Sequence, residues 1–206
     1  MKEQIINEIT NNFPHMHGWC SIEKACKIVE IIWDNKLKNC LEIGVFGGKS
    51  LLAQALTLKY MGDGKAFGID PWNIDDALEE MKDEAHRNWW AAINMNDIFE
   101  SCQHHLRLLG CAGFFDLIKD KAENVVNIFN DNFLDFLHID GNHSEMLSYK
   151  DATLYLPKVK SGGYIFFDDI YWSEGNGVTT RKAIGFLLES CERVDIVEDC
   201  LILKKF

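Results

Sequence analysis

Residues 133–172 read as strand, helix, strand, and this unit restricts the fold more than any other stretch of the chain. Phe133 to Ile139 is a short apolar run that stops at Asp140-Gly141, and Gly163 to Phe167 is a second that stops at Asp168-Asp169. Between them Met146, Tyr149, Leu154 and Leu156 recur at helical spacing over Ser144 to Lys158, and Pro157 with Ser161-Gly162-Gly163 ends the helix. A right-handed crossover makes the two strands parallel. Both carboxyl ends then fall on one edge of the sheet, where open α/β folds bind ligands. Neighbouring strands lie about 4.8 Å apart, so Asp140 and the Asp168-Asp169 pair converge. Carboxylates that close raise one another's pKa, and a divalent cation removes the conflict. Asp140, Asp168 and Asp169 are therefore candidate ligands of a hard metal, although a lone Asp after a strand more commonly caps a helix or loop.

The rest of the chain supplies more of the same layers. Asn39 to Val45 reads as a first strand that runs into Gly44-Val45-Phe46-Gly47-Gly48-Lys49-Ser50 and a helix, Leu51 to Tyr60. A strand, glycine-rich turn and helix form a cradle in which backbone can approach a ligand. Lys65 to Ile69 is a second strand, ending in Asp70-Pro71-Trp72, where an acid is placed to take both hydroxyls of a ribose and Trp72 to stack beside an adenine. Phe115 to Ile118 is a third. Val194 to Val197 and Leu201 to Leu203 form a closing hairpin whose last strand joins the sheet antiparallel. The expected fold is a Rossmann-like, doubly wound α/β domain. Its seven-stranded sheet is mostly parallel, with an antiparallel last strand and helices on both faces.

With 206 residues the chain has length for one such domain, 1–206. Residues 1–37 form an N-terminal helical segment, in which Ser21 caps a helix with Ile22, Ala25, Ile28, Val29, Ile32 and Trp33 on one face. Residues 73–112 form a helical insertion. There Leu78, Met81, Ala85, Trp89, Ala92 and Ile93 recur at helical spacing beside many acids; it reads as an amphipathic helix or as a lid over the pocket with Trp89-Trp90 stacking on an acceptor. Ser173 to Gly177 read as a flexible loop, with Thr179 or Thr180 capping the next helix. A net charge of −11 without a basic run argues against nucleic acid. No stretch approaches the roughly 18 apolar residues of a membrane span, and no signal peptide opens the chain, so a cytoplasmic protein is expected. Seven scattered cysteines without a CxxC pair read as reduced thiols. His15, His17, Cys20 and Cys26 are too loosely spaced for a typical structural zinc site. Homo-oligomerisation stays open.

The segments LEIGVFGGKS, FGIDPW, FLHIDGNHS and GGYIFFDDIYW, in that order, resemble a class I S-adenosylmethionine-dependent methyltransferase. Within that class, the acid-GNH turn followed by paired acids resembles the magnesium-dependent O-methyltransferases that act on sugar hydroxyls and related small molecules. The resemblance implies that Glu42 and Gly44 to Gly48, with Gly47 and Ser50 in the same turn, hold the methionine end of S-adenosylmethionine, and that Asp70 holds its ribose. It also implies that Asp140, Asp168 and Asp169 hold Mg2+ and that His143 is the base, with Asp140 at the reacting hydroxyl. After the third strand the family has a small hydroxyl residue beside the adenine, whereas this chain reads Lys119-Asp120-Lys121-Ala122-Glu123.

Two other classes remain open at this point. A glycine turn followed by Asp70 also suits a nicotinamide-dependent oxidoreductase, but the spacing is GxxGG rather than GxGxxG. The third class is a non-catalytic protein that binds the cofactor and needs no metal.

Overall fold

The computed structural model describes residues 1–174 and 177–206. After α1 (Lys2–Asn12) and α2 (Ile22–Asn35) the chain alternates strand and helix: β1 (Asn39–Ile43), α3 (Lys49–Met61) and β2 (Lys65–Ile69). Two short helices follow, α4 (Ile74–Ala77) and α5 (Glu84–Ala91), and then α6 (Met95–Leu108), β3 (Phe115–Ile118), α7 (Ala122–Val125), β4 (Leu134–Ile139), α8 (Glu145–Tyr155) and β5 (Val159–Phe167). The chain ends with a small ladder of β6 (Ser173–Glu174) and β7 (Gly177–Val178), α9 (Arg181–Leu188), β8 (Cys191–Val197) and β9 (Cys200–Lys205).

The main sheet has seven strands in the order β3-β2-β1-β4-β5-β9-β8. The first five are parallel, and β9 pairs antiparallel with both β5 and β8. The strand order reverses between β1 and β4, the switch point at which such sheets open a crevice. Residues Leu41, Leu137, Ile139 and Ile165 point to one face and pack under α7, α8 and α9; Cys40, Phe136 and Phe166 point to the other and pack under α1, α2, α3 and α6. Helices thus cover both faces, as the sequence predicts.

Local chemistry sets the boundaries. Ser21 caps α2 by accepting from the Lys24 N–H, Ser144 caps α8 by accepting from Leu147, and Gly62 closes α3 in the left-handed conformation at φ 76°. The closing hairpin is longer than the sequence suggests, because β8 begins at Cys191. Thr180 stands at the start of α9 without a side-chain capping bond; its hydroxyl donates to the Asp169 carbonyl instead. Of the loop expected at Ser173 to Gly177, Gly175 and Asn176 lie outside the described residues.

The stretch 73–112 differs from expectation in a way that packing explains. It is not one insertion: α6 is the ordinary crossover helix between β2 and β3, with Met95, Ile98, Cys102 and Leu106 buried against the sheet. Only residues 73–94 are added, and the apolar spacing from Leu78 to Ile93 is divided between α4 and α5 by a turn in which Glu80 has φ 60°. Neither α4 nor α5 has a buried residue.

Candidate active site

Strands β1, β2, β4 and β5 all end on one edge, and a cavity of about 980 Å³ opens there. Its floor is the turn after β1. Gly44 has φ 85°, and a Cβ there would stand 2.0 Å from the Asp140 carbonyl oxygen, so only glycine lets the ends of β1 and β4 approach so closely. Asp70 ties this turn to the end of β2, one carboxylate oxygen accepting from the Phe46 N–H at 2.9 Å and the other from the Trp72 N–H at 2.7 Å. Asp70 also lines the cavity, and burial raises its pKa against these backbone bonds.

Glu42, Gly47, Gly48 and Trp72 shape the cradle from behind and do not line the cavity. Glu42 is fully buried and accepts from the Ser50 hydroxyl at 2.7 Å and the Gln54 amide at 2.5 Å. Ser50, thus tied, reaches the wall itself. A Cβ on Gly47 would stand 2.3 Å from the His17 carbonyl oxygen and one on Gly48 2.5 Å from the Cys102 sulfur, so these glycines admit protein, not ligand. Trp72 corrects an expectation. Its ring is 2% exposed, its indole N–H donates to the Phe46 carbonyl at 2.9 Å, and it packs edge-on against Phe99, so it is core and not an adenine platform.

The three candidate acids separate into two settings. Asp140 and Asp169 come together with His143, each offering a ligand atom within 4.8 Å of the others. His143 lies 2.9 Å from Asp169, and although burial disfavours its charge, that contact raises its pKa. Asp140 is pushed well above the carboxylate range by burial and by the charge of Asp168. Two carboxylates and an imidazole at that separation fit a divalent cation.

Asp168 is turned away from that group and into a buried ion pair. The Lys24 ammonium lies 2.6 and 2.8 Å from its two oxygens, and His138 lies 3.2 Å from it. Burial opposes its charge, but His138 and Lys24 outweigh burial and hold Asp168 below the usual range. His138, fully buried in β4, stands between Asp168 and Glu42 and is raised well above the ordinary imidazole value by both, against its own burial. Of the three acids expected to share one ligand set, Asp140 and Asp169 lie together with His143, whereas Asp168 is paired to Lys24.

The mouth of the cavity is aromatic. Trp19 stacks on Phe46 with centroids 5.3 Å apart, and Trp89 and Trp90 of α5 close on the same pair. On the side of Asp140 and Asp169, Trp172 lies between His86 of α5 and His143, at 5.1 and 4.9 Å. Sequence reasoning passed over Lys24, although its spacing to Ile28 and Ile31 places it on the buried stripe of α2, a readable anomaly for a charged residue. It also passed over Trp19 and Phe46, whose meeting depends on the loop fold alone.

The strand order, the cradle after β1, the acid after β2 and the acids after β4 and β5 define a class I S-adenosylmethionine-dependent methyltransferase. A profile of the methyltransferase domain family matches residues 41–170, and the chain belongs to that family. A flavonoid 3',5'-methyltransferase of Vitis vinifera is 30% identical over 138 residues, which are 66% of this chain and 48% of that protein. This chain spans about half the length of the curated relatives it matches. The O-methyltransferase TomG of Streptomyces achromogenes, solved with S-adenosylmethionine, superposes with a TM-score of 0.64 at 15% identity, covering 100% of this chain and 89% of its own. A Bacillus cereus O-methyltransferase solved with S-adenosylhomocysteine gives 0.65 at 13%, covering 98% and 91%. At such identities the structures attest the fold. No described helix is long and apolar enough to cross a membrane.

Proposed function

We propose that this chain transfers a methyl group from S-adenosylmethionine to a hydroxyl of a small polyhydroxylated molecule, and that it does so with a divalent cation, Mg2+, held by Asp140 and Asp169, with His143 beside them as the base. The observation that carries this reading is that Asp140, His143 and Asp169 share one cavity with the glycine turn and Asp70. S-adenosylmethionine, when bound, supplies a methyl group that is already electrophilic on its sulfonium. A bound divalent cation lowers the pKa of a coordinated hydroxyl. The protein's part is then to align the acceptor oxygen and receive its proton. Asp169, 2.9 Å from His143 Nε2, orients the ring and stabilises the imidazolium that forms when Nδ1 takes the proton. Asp70 fixes the ribose, and the aromatic mouth excludes water.

The aromatic mouth also bears on the acceptor. Trp19, Phe46, Trp89 and Trp90 offer flat apolar faces, and the relatives' names specify flavonoid and caffeoyl-CoA acceptors. A catechol-like phenol suits this wall as a sugar face does. The −11 charge favours either over nucleic acid. The test is S-adenosylhomocysteine calorimetry with Mg2+ and with EDTA, followed by turnover on a sugar and phenol panel for wild type and His143→Ala. Turnover is expected to fall at least about tenfold in His143→Ala while cofactor affinity holds. An unchanged rate removes His143 from the mechanism, and turnover indifferent to EDTA removes the metal.

A further inference from the structure

Apart from Asp140 of the proposed metal cluster, one further carboxyl group in the cavity lacks a hydrogen-bond donor among the described residues. Asp151, in α8, is 7% exposed and lines the cavity wall. Among the described residues none donates a hydrogen bond to it. The polar groups around it are engaged elsewhere: Lys150 pairs with Glu123 at 2.9 Å, and Lys121 with Asp76 and Glu79 at 2.7 Å each. An enclosed carboxyl lacking donors is destabilising, and a ligand that donates to it relieves the cost.

Its surroundings say which ligand group that is. A Cβ on Gly141 would stand 3.1 Å from an Asp151 oxygen, so glycine at 141 leaves the carboxyl uncovered beside the end of β4. Ala122, after β3, and Leu147, one turn before Asp151, supply apolar lining to the same cavity as the ribose-binding candidate Asp70. A planar ring between apolar walls with one carboxyl at its edge is a site for an amino-substituted heterocycle. The segment after β3 leaves this role open: Lys119 donates to Asn96, and Asp120 accepts from the Lys121 N–H and from Asn124.

We propose that Asp151 recognises the adenine ring of S-adenosylmethionine by accepting a hydrogen bond from its exocyclic amine. The assignment rests on the cofactor reading given above. Burial and the charge of Glu123 push the Asp151 carboxyl up to about 7, so near neutrality it can also act as a donor, towards a ring nitrogen.

The experiment compares calorimetric binding of S-adenosylhomocysteine with S-inosylhomocysteine, which carries a carbonyl oxygen where adenine carries its amine. Wild type is expected to prefer the adenine ligand by at least about tenfold, and Asp151→Asn, whose amide can donate to the carbonyl, to lose most of that preference. A preference unchanged in Asp151→Asn overturns the adenine assignment while leaving the cofactor reading intact. Equal wild-type affinity for the two ligands overturns it without any variant. Binding of neither by wild type removes the cofactor reading itself.

Discussion

Lys24 reaches the edge of the sheet from α2 and sits 8% exposed against an Asp168 side chain that is 3% exposed. A buried pair of this kind is weak evidence of net stabilisation, but removing one partner leaves an uncompensated charge. Lys24→Met is therefore expected to destabilise the protein by about 3–5 kcal/mol in urea denaturation, and the double variant Lys24→Met/Asp168→Asn by much less. Because Asp168 is held below its unfolded pKa, its share of stability is present above that value and is lost as acid carries the pH down through the folded one. Asp151 works in the opposite sense. Its folded carboxyl titrates at about 7 against an ordinary 3.8, so folding without ligand weakens as pH rises between those values. Asp151→Asn should flatten that part of the stability profile, by at most about 4 kcal/mol; denaturant midpoints at pH 4 and pH 8 measure it. Both residues stand at helical spacings that mark them in the sequence as polar groups on buried stripes, Lys24 with Ile28 and Asp151 with Tyr155. What the spacing does not carry is the partner, since Asp168 is 144 residues from Lys24.

At the scale of elements, the strands β1, β2, β4 and β5 were legible because their apolar runs end in glycine or acid. The segment 73–94 was less so. Its apolar residues keep a helical period across a turn, and periodicity alone does not reveal a break where no glycine or proline marks it. The result is a cover of two short helices that touches the site through aromatic rings. Trp89 is 45% exposed and caps no core, so Trp89→Ala should change stability by no more than about 0.5 kcal/mol. The same change removes one wall of the mouth, and acceptor kcat/KM should fall about tenfold with S-adenosylhomocysteine affinity preserved. Equal loss of both affinities would mean that α5 braces the cofactor instead. The N-terminal segment, by contrast, is fastened below the site: besides Lys24, Ser21 donates to Glu198 at 2.8 Å, joining the start of α2 to the turn between β8 and β9.

For the molecule as a whole, the two helical layers and the reversed strand order follow from sequence periodicity, whereas the cavity does not, because it is assembled from loops whose geometry depends on tertiary contacts such as Gly44 against Asp140 and Gly47 against His17. A ligand that binds this cavity binds only the folded chain. Saturation with S-adenosylhomocysteine at a hundredfold excess over Kd should add about 2.7 kcal/mol, a rise of roughly 5–10 °C in Tm for a chain of this size, and Asp70→Ala should abolish it. The aromatic mouth has one more consequence. Four of the six tryptophans, Trp19, Trp89, Trp90 and Trp172, border the cavity. A ligand entering there meets these indoles, while Trp33 and Trp72 lie away from the lining, so the intrinsic fluorescence of the unlabelled protein serves as an optical gauge of site occupancy.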